Sequence, residues 1–117
     1  MRYNDEFRLY REIVKYSNYI RRYVLGTITN VHRDLRIHLM DEVYALERNL
    51  VSATSTKGNI RMKYITEMII IEKMLDLISD DIRTFCPKSK KKIDKSIEYL
   101  VKIKSMTYAW RDNPETN

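Results

Sequence analysis

LMDEVYALERNLVSATSTKGNIRMKYITEMIIIEKMLDLISDDI, residues 39–82, decides the fold. Before its centre, apolar side chains fall at Leu39, Val43, Leu46, Leu50 and Ala53. After it they fall at Tyr64, Met68, Ile71, Leu75, Ile78 and Ile82. Both series step by three and four, which lines side chains along one face of an α-helix. Between them lies Ala53-Thr54-Ser55-Thr56-Lys57-Gly58-Asn59, the one small-and-polar cluster in mid-chain. Its hydroxyls are expected to accept hydrogen bonds from the first free N–H groups of the second arm. Gly58 lets the backbone reverse without a Cβ penalty. The stretch reads as a helical hairpin with long arms, whose apolar stripes need partners.

The flanking segments supply them. A first helix is expected over about 4–24, with Asn4 or Asp5 as its cap and Asp5 and Glu6 at the positive end of its dipole. Phe7, Tyr10, Val14, Ser17 and Val24 make one stripe, and Leu9, Ile13, Tyr16 and Ile20 a neighbouring one. This face is wider than a two-stranded seam and suits a bundle. Gly26 is expected to end the helix, with Thr27, Ile28 and Thr29 breaking the pattern. The hairpin arms span about 32–53 and 59–83. Pro87 stops the third helix, because it lacks an N–H and restricts the residue before it. A fourth helix over about 89–111 carries Ile93, Ile97, Leu100, Val101 and Ile103, extended by Tyr108 or Trp110. The tail from Asp112 reads as frayed. Helices of about 20–25 residues are about 30–37 Å long, and short connections make neighbours antiparallel. The expected fold is all-α: one domain over 1–117, an antiparallel up-down-up-down four-helix bundle.

Composition agrees. The chain has 117 residues with two Gly, two Pro and one Cys, a helix-forming mixture without β-turn chemistry. At this size it buries about two-thirds of its extended surface and needs neither disulfide nor metal to fold. The single Cys86 points to a reducing, cytoplasmic setting. No apolar run follows the first basic residue as a signal peptide requires, and the longest, Met68 to Ile71, is too short to span a bilayer.

The charge is uneven. Of a net +6, residues 84–111 hold eight Lys or Arg against two acids, whereas residues 1–83 hold fourteen against twelve. A localised excess points to an anionic partner. Lys88, Lys90, Lys91, Lys92 and Lys95 crowd the start of the fourth helix. Cations there oppose the helix dipole, so selection for stability alone would favour Asp or Glu. The lysines and free N–H groups read as an anion trap, which Lys102, Lys104 and Arg111 extend along the helix. Lysine meets phosphate as a point charge, so the expected ligand is RNA or DNA held by its backbone without sequence readout. A solvated basic face is the plainer alternative.

Tyr16, Tyr19 and Tyr23 follow helical spacing with Lys15 and Arg22 interleaved. They read either as a stacking surface or, more simply, as rings packed at the bundle edge. Catalysis has little support. His32 and His38 are six apart and fall on different helix faces, and no Glu-x-x-His pair or Gly-rich phosphate loop occurs. Asp80 and Asp81 read as a solvated helix end, and Cys86 as structural despite Lys88 and Lys90 nearby. The chain reads as a non-enzyme without metal or cofactor.

Residues 39–81, with the turn Ser52 to Asn59, resemble a known family, and the likeness runs from His32-Arg33 to Tyr108-Ala109-Trp110. It is similar to the accessory variability determinants, four-helix-bundle proteins that accompany the reverse transcriptases of diversity-generating retroelements. Ribosomal-RNA intervening-sequence proteins share that fold. The family usually carries Phe-Pro before its second helix and a Phe-Thr-Leu-Gly-like run at its start, where this chain has Ile28-Thr29 and Asp34-Leu35-Arg36-Ile37. The family's glycines before its late Trp are replaced by Tyr108 and Ala109. The resemblance implies a basic, non-enzymatic homo-oligomer, a ring-like pentamer, that binds a reverse transcriptase and nucleic acid and supports copying of template RNA into complementary DNA. By the same analogy Arg21, Arg22, Arg33, Arg36, Lys57, Arg61 and Lys63 become candidate contacts to polymerase or nucleic acid. The intervening-sequence branch implies instead a structural or protein-interaction bundle with no nucleic-acid role.

Overall fold

The hairpin stretch forms two long α-helices in the computed structural model, which describes residues 3–114 and the side chains of residues 8–114. Four helices pack against each other: α1 (Tyr3–Tyr19), α2 (Arg33–Thr54), α3 (Gly58–Phe85) and α4 (Lys90–Asp112). No described residue is in a strand. α2 lies against α3, α3 against α4, and α1 against both α4 and α2. The molecule measures 44 × 21 × 18 Å. Its long dimension matches the roughly 42 Å rise of the 28-residue α3.

The α2 stripe is buried as its spacing requires, from Leu39 through Val43, Leu46 and Leu50 to Ala53. On α3 the buried face is broader than the expected stripe. Met68, Ile71, Leu75, Ile78 and Ile82 are buried, but Tyr64 is only half-buried, and Arg61, Ile65, Ile69, Glu72 and Ser79 go inside. On α4, Ile93, Leu100, Ile103 and Trp110 are buried together with Ser96 and Thr107, whereas Val101 faces outward and Ile97 is half-buried. Polar residues on these inner faces escaped a reading based on apolar periodicity. α1 buries Leu9, Ile13, Tyr16 and Ser17, while Tyr10 is exposed. The expected contributions of Phe7 and of the Asn4 or Asp5 cap lie outside the described side chains.

Three boundaries differ from expectation. The hydroxyls of the 53–59 turn close the end of α2 rather than capping α3. Thr54 and Ser55 donate to the Val51 carbonyl at 3.0 and 2.7 Å, and Thr56 donates to Ser52 at 2.8 Å. The carbonyls in the last turn of a helix lack intrahelical partners, and short hydroxyl side chains reach them readily. Gly58 does take the expected left-handed conformation, at φ 62°. The first helix does not stop at Gly26 in a left-handed cap. It widens into a π turn over Ile20–Val24, where the Leu25 N–H reaches the Ile20 carbonyl, then tightens into a 3-10 turn over Leu25–Thr27. The end of α4 is tied as far as Pro114, whose carbonyl accepts from Arg61 at 2.9 Å.

Candidate nucleic-acid interface

The lysine run of α4 meets the end of the first helix because two hydroxyls tie the segments together. Ser89 Oγ donates to the Thr27 carbonyl at 3.0 Å, and Thr27 Oγ1 lies 2.8 Å from Ser89 Oγ and 2.6 Å from the Val24 carbonyl. Ser89 thereby gives up the capping role its position offers, and α4 begins without a side-chain cap. Nearby, His32 packs on Phe85 with ring centroids 5.9 Å apart. Arg36 donates to the Ile28 carbonyl and to Asn30 Oδ1 at 3.2 and 3.0 Å. These contacts gather the π turn, the 28–32 connection and the starts of α2 and α4 at one pole of the molecule.

That pole is basic. Arg22, Arg33, Lys88, Lys90, Lys91 and Lys92 are exposed there. Among the described residues Lys88, Lys90 and Lys91 make no ion pair, and neither does the exposed Lys102 farther along α4. Asp94, Asp80 and Asp81 also lie on this side, but Asp94 and Asp80 are engaged by Arg83 at 2.5 and 3.4 Å. The backbone part of the expected anion trap is partly spent: the Ser89 and Lys90 N–H groups bond to the Cys86 and Pro87 carbonyls in a 3-10 turn. The positive charge is therefore carried by side chains rather than by a bare helix terminus.

Tyrosine rings adjoin the lysines. Tyr19 packs on Tyr23 of the π turn and on Tyr99 of α4, with centroids 5.1 and 5.4 Å apart. Lys92 Nζ stands 5.1 Å from the Tyr23 ring centroid, and Lys95 Nζ 5.8 Å from that of Tyr99. Lys95 is also 3.4 Å from Glu98 on the exposed surface. The Tyr19 hydroxyl is pushed toward higher pKa, first by partial burial and then by the neighbouring Tyr99. Tyr16 belongs to a different environment. It is fully buried, and burial followed by the charge of Asp76 raises its pKa. The helical tyrosine series thus divides into one core ring and two at the basic surface. Tyr99 was missed by the sequence reading, although it lies four and seven residues beyond Lys95 and Lys92, on the same side of α4.

Other candidate residues go elsewhere. Lys104 is bound to Asp76 at 2.6 Å and joins α4 to α3. Arg111 sits against Tyr108 and Asp112 at the far end of α4, about 30 Å along the helix from Lys91. Arg21 reaches Ser17, Glu47 and the Tyr44 ring, linking the first helix to α2. Arg61 is buried: its Nε donates to the Ala53 carbonyl at 2.9 Å, and its guanidinium lies over Trp110. Lys57 and Lys63 are exposed toward that second pole. Arg61 and Lys104 are accordingly structural cations, which their charge alone did not reveal. Cys86 is buried, and among the described residues no three His, Cys, Asp or Glu side chains converge as a metal site would require. No described helix is long and apolar enough to cross a membrane.

No family model, curated protein or solved structure matches this chain.

Proposed function

We propose that this chain is a non-enzymatic nucleic-acid-binding protein that partners a reverse transcriptase in copying template RNA into complementary DNA. It needs no cofactor in this role. The observation that carries nucleic-acid binding is the basic pole, where unpaired lysines of α4 stand beside tyrosines of the first helix. Phosphate backbones supply the regularly spaced charge such a surface attracts. The reverse-transcriptase partnership and a homo-pentameric ring rest on the sequence resemblance alone, and a cytoplasmic setting rests on the single Cys86. The antiparallel up-down-up-down bundle is supported by the order of helix contacts, in which each helix packs on its neighbours in sequence and α1 returns to α4.

One observation favours a second reading, a protein-interaction module. Ile70, Met74 and Leu77 are exposed at i, i+4, i+7 spacing on α3, and Ile37, Tyr44 and Val51 are exposed at sevenfold spacing on α2. Exposed apolar stripes of this kind fit a protein partner or a further copy of the chain.

Fluorescence anisotropy of a labelled structured RNA and a DNA duplex, titrated at several salt concentrations, separates the readings. Binding that weakens steeply with salt, and falls when Lys88, Lys90, Lys91 and Lys92 become Gln, is the expected result. No binding even at low salt would leave the interaction module. Co-purification with a reverse transcriptase of a diversity-generating retroelement tests the partnership separately.

A further inference from the structure

The interface described above contains more than charge. Phosphate contact requires only cations on the surface, and the lysines provide them. Phosphate contact gives no reason for three tyrosine rings from two separate helices to meet under those cations. Tyr23 is 49 % exposed, so the core does not account for its ring. Tyr19 and Tyr99 are half-buried against the core, and Tyr19 touches both other rings, so that Tyr23 is held on the surface at a fixed position with the edge of Tyr99 beyond it.

We propose that the Tyr23–Tyr19–Tyr99 cluster is a stacking surface for unpaired bases, so that the basic pole takes a single-stranded RNA or DNA segment. This deepens the nucleic-acid reading above and rests on it. A duplex presents phosphates to the lysines but keeps its base faces stacked inside, so it gains nothing from the rings. A single strand offers both. In the free protein Lys92 and Lys95 cap the rings of Tyr23 and Tyr99. Contacts of this type are weak at exposed sites, so the ammonium groups can exchange a ring for a phosphate while a base takes the ring face. Base–aromatic stacking is the stronger contact, and it tolerates any base because each has a π-face. Glu98, paired with Lys95, lies at the edge of this surface and disfavours a phosphate placed directly over it. The strand is therefore held on the Tyr23 side, through Lys92 and the exposed lysines of the same run.

The test compares a labelled single-stranded 12-mer with a duplex of the same length, by anisotropy at fixed salt, for the full chain and for Tyr23→Leu and Tyr23→Phe. The expected result is tighter binding of the single strand, weakened about 5- to 100-fold by Tyr23→Leu and kept by Tyr23→Phe, which retains the ring. The slope of affinity against salt stays unchanged in both variants, because no charge is altered. Circular dichroism and thermal melting confirm that both are folded. If Tyr23→Leu does not fold, Lys92→Met with Tyr23 intact supplies the second measurement: duplex affinity falls while the preference for single strands persists. Equal affinity for both ligands, or a single-strand preference that Tyr23→Leu leaves intact, overturns the stacking proposal alone. Absence of binding to either ligand overturns the nucleic-acid reading beneath it.

Discussion

Glu72 accepts a hydrogen bond from Thr107 at 2.7 Å, while its other carboxylate oxygen has no hydrogen-bond partner among the described residues. Burial raises its pKa from the usual 4.5 to about 8, against the opposing effects of the Thr107 hydrogen bond and Lys104, and with a smaller push from Asp76. The sign follows from proton linkage. Between pH 4.5 and about 8 the unfolded chain has lost this proton while the folded chain keeps it, so stability falls as pH rises through that window. Glu72→Gln is expected to flatten this slope. Urea midpoints of the parent and the Glu72→Gln variant should nearly coincide near pH 4. By pH 8 they should separate, with the variant the more stable by a few kcal/mol. A variant whose midpoint tracks the parent at every pH would show that Glu72 is ionised in the fold. Arg61 is the second residue whose role burial sets. Arg61→Ala removes the guanidinium that donates to both the Ala53 and the Pro114 carbonyls and is expected to cost about 2–4 kcal/mol in urea unfolding. Nucleic-acid affinity of the folded variant should be unchanged, because a buried guanidinium offers nothing to a phosphate.

At the scale of elements, α4 serves two demands that conflict. Its first turn contains Lys90, Lys91 and Lys92 and no acid, an arrangement that the helix dipole penalises by about 0.3–1 kcal/mol per exposed charge. Replacing Lys88, Lys90, Lys91 and Lys92 with Gln is therefore expected to raise the thermal midpoint. The same change should reduce the salt slope of nucleic-acid binding by about 0.7–0.9 for each lysine that meets a phosphate. Opposite movement of stability and binding is the signature of a functional charge cluster. A variant that loses both would mean the lysines hold the fold. Lys104→Gln should behave in the reverse manner, weakening the fold through the lost Asp76 pair and leaving the slope in place. The first helix makes its own concession. Its π turn carries Arg21, Arg22 and Tyr23 and delivers Tyr23 to the lysines of α4. π turns inside regular helices are frequent at functional sites.

At the scale of the whole molecule, basic residues occupy both poles, separated by the length of α4. Arg111 and Lys63 belong to the pole opposite the lysine run. About 30 Å along the helix exceeds the roughly 8 Å screening length at physiological ionic strength, so the two poles act independently on exposed charges. Arg111→Gln with Lys63→Gln is expected to leave the affinity of a short oligonucleotide unchanged within about twofold. A loss comparable to that of the lysine variants would place the ligand along the full length of the molecule rather than at one pole.

The helices, the turn at Gly58 and most of the core are legible along the chain, because buried apolar side chains recur at the helical period. So is the charge excess in the last quarter of the chain. Tertiary structure alone decided which polar residues belong inside. Glu72, Arg61, Ser79 and Thr107 break no helical pattern, and only the approach of another helix buries them. It likewise decided which cations are committed to other groups, as Lys104 is to Asp76 and Arg61 to the Ala53 carbonyl. The meeting of Tyr19 and Tyr23 with Tyr99 and Lys92 was beyond any local reading. Tyr23 and Lys92 are 69 positions apart in the chain and Tyr19 and Tyr99 are 80, and their contact follows from how the first helix and α4 pack.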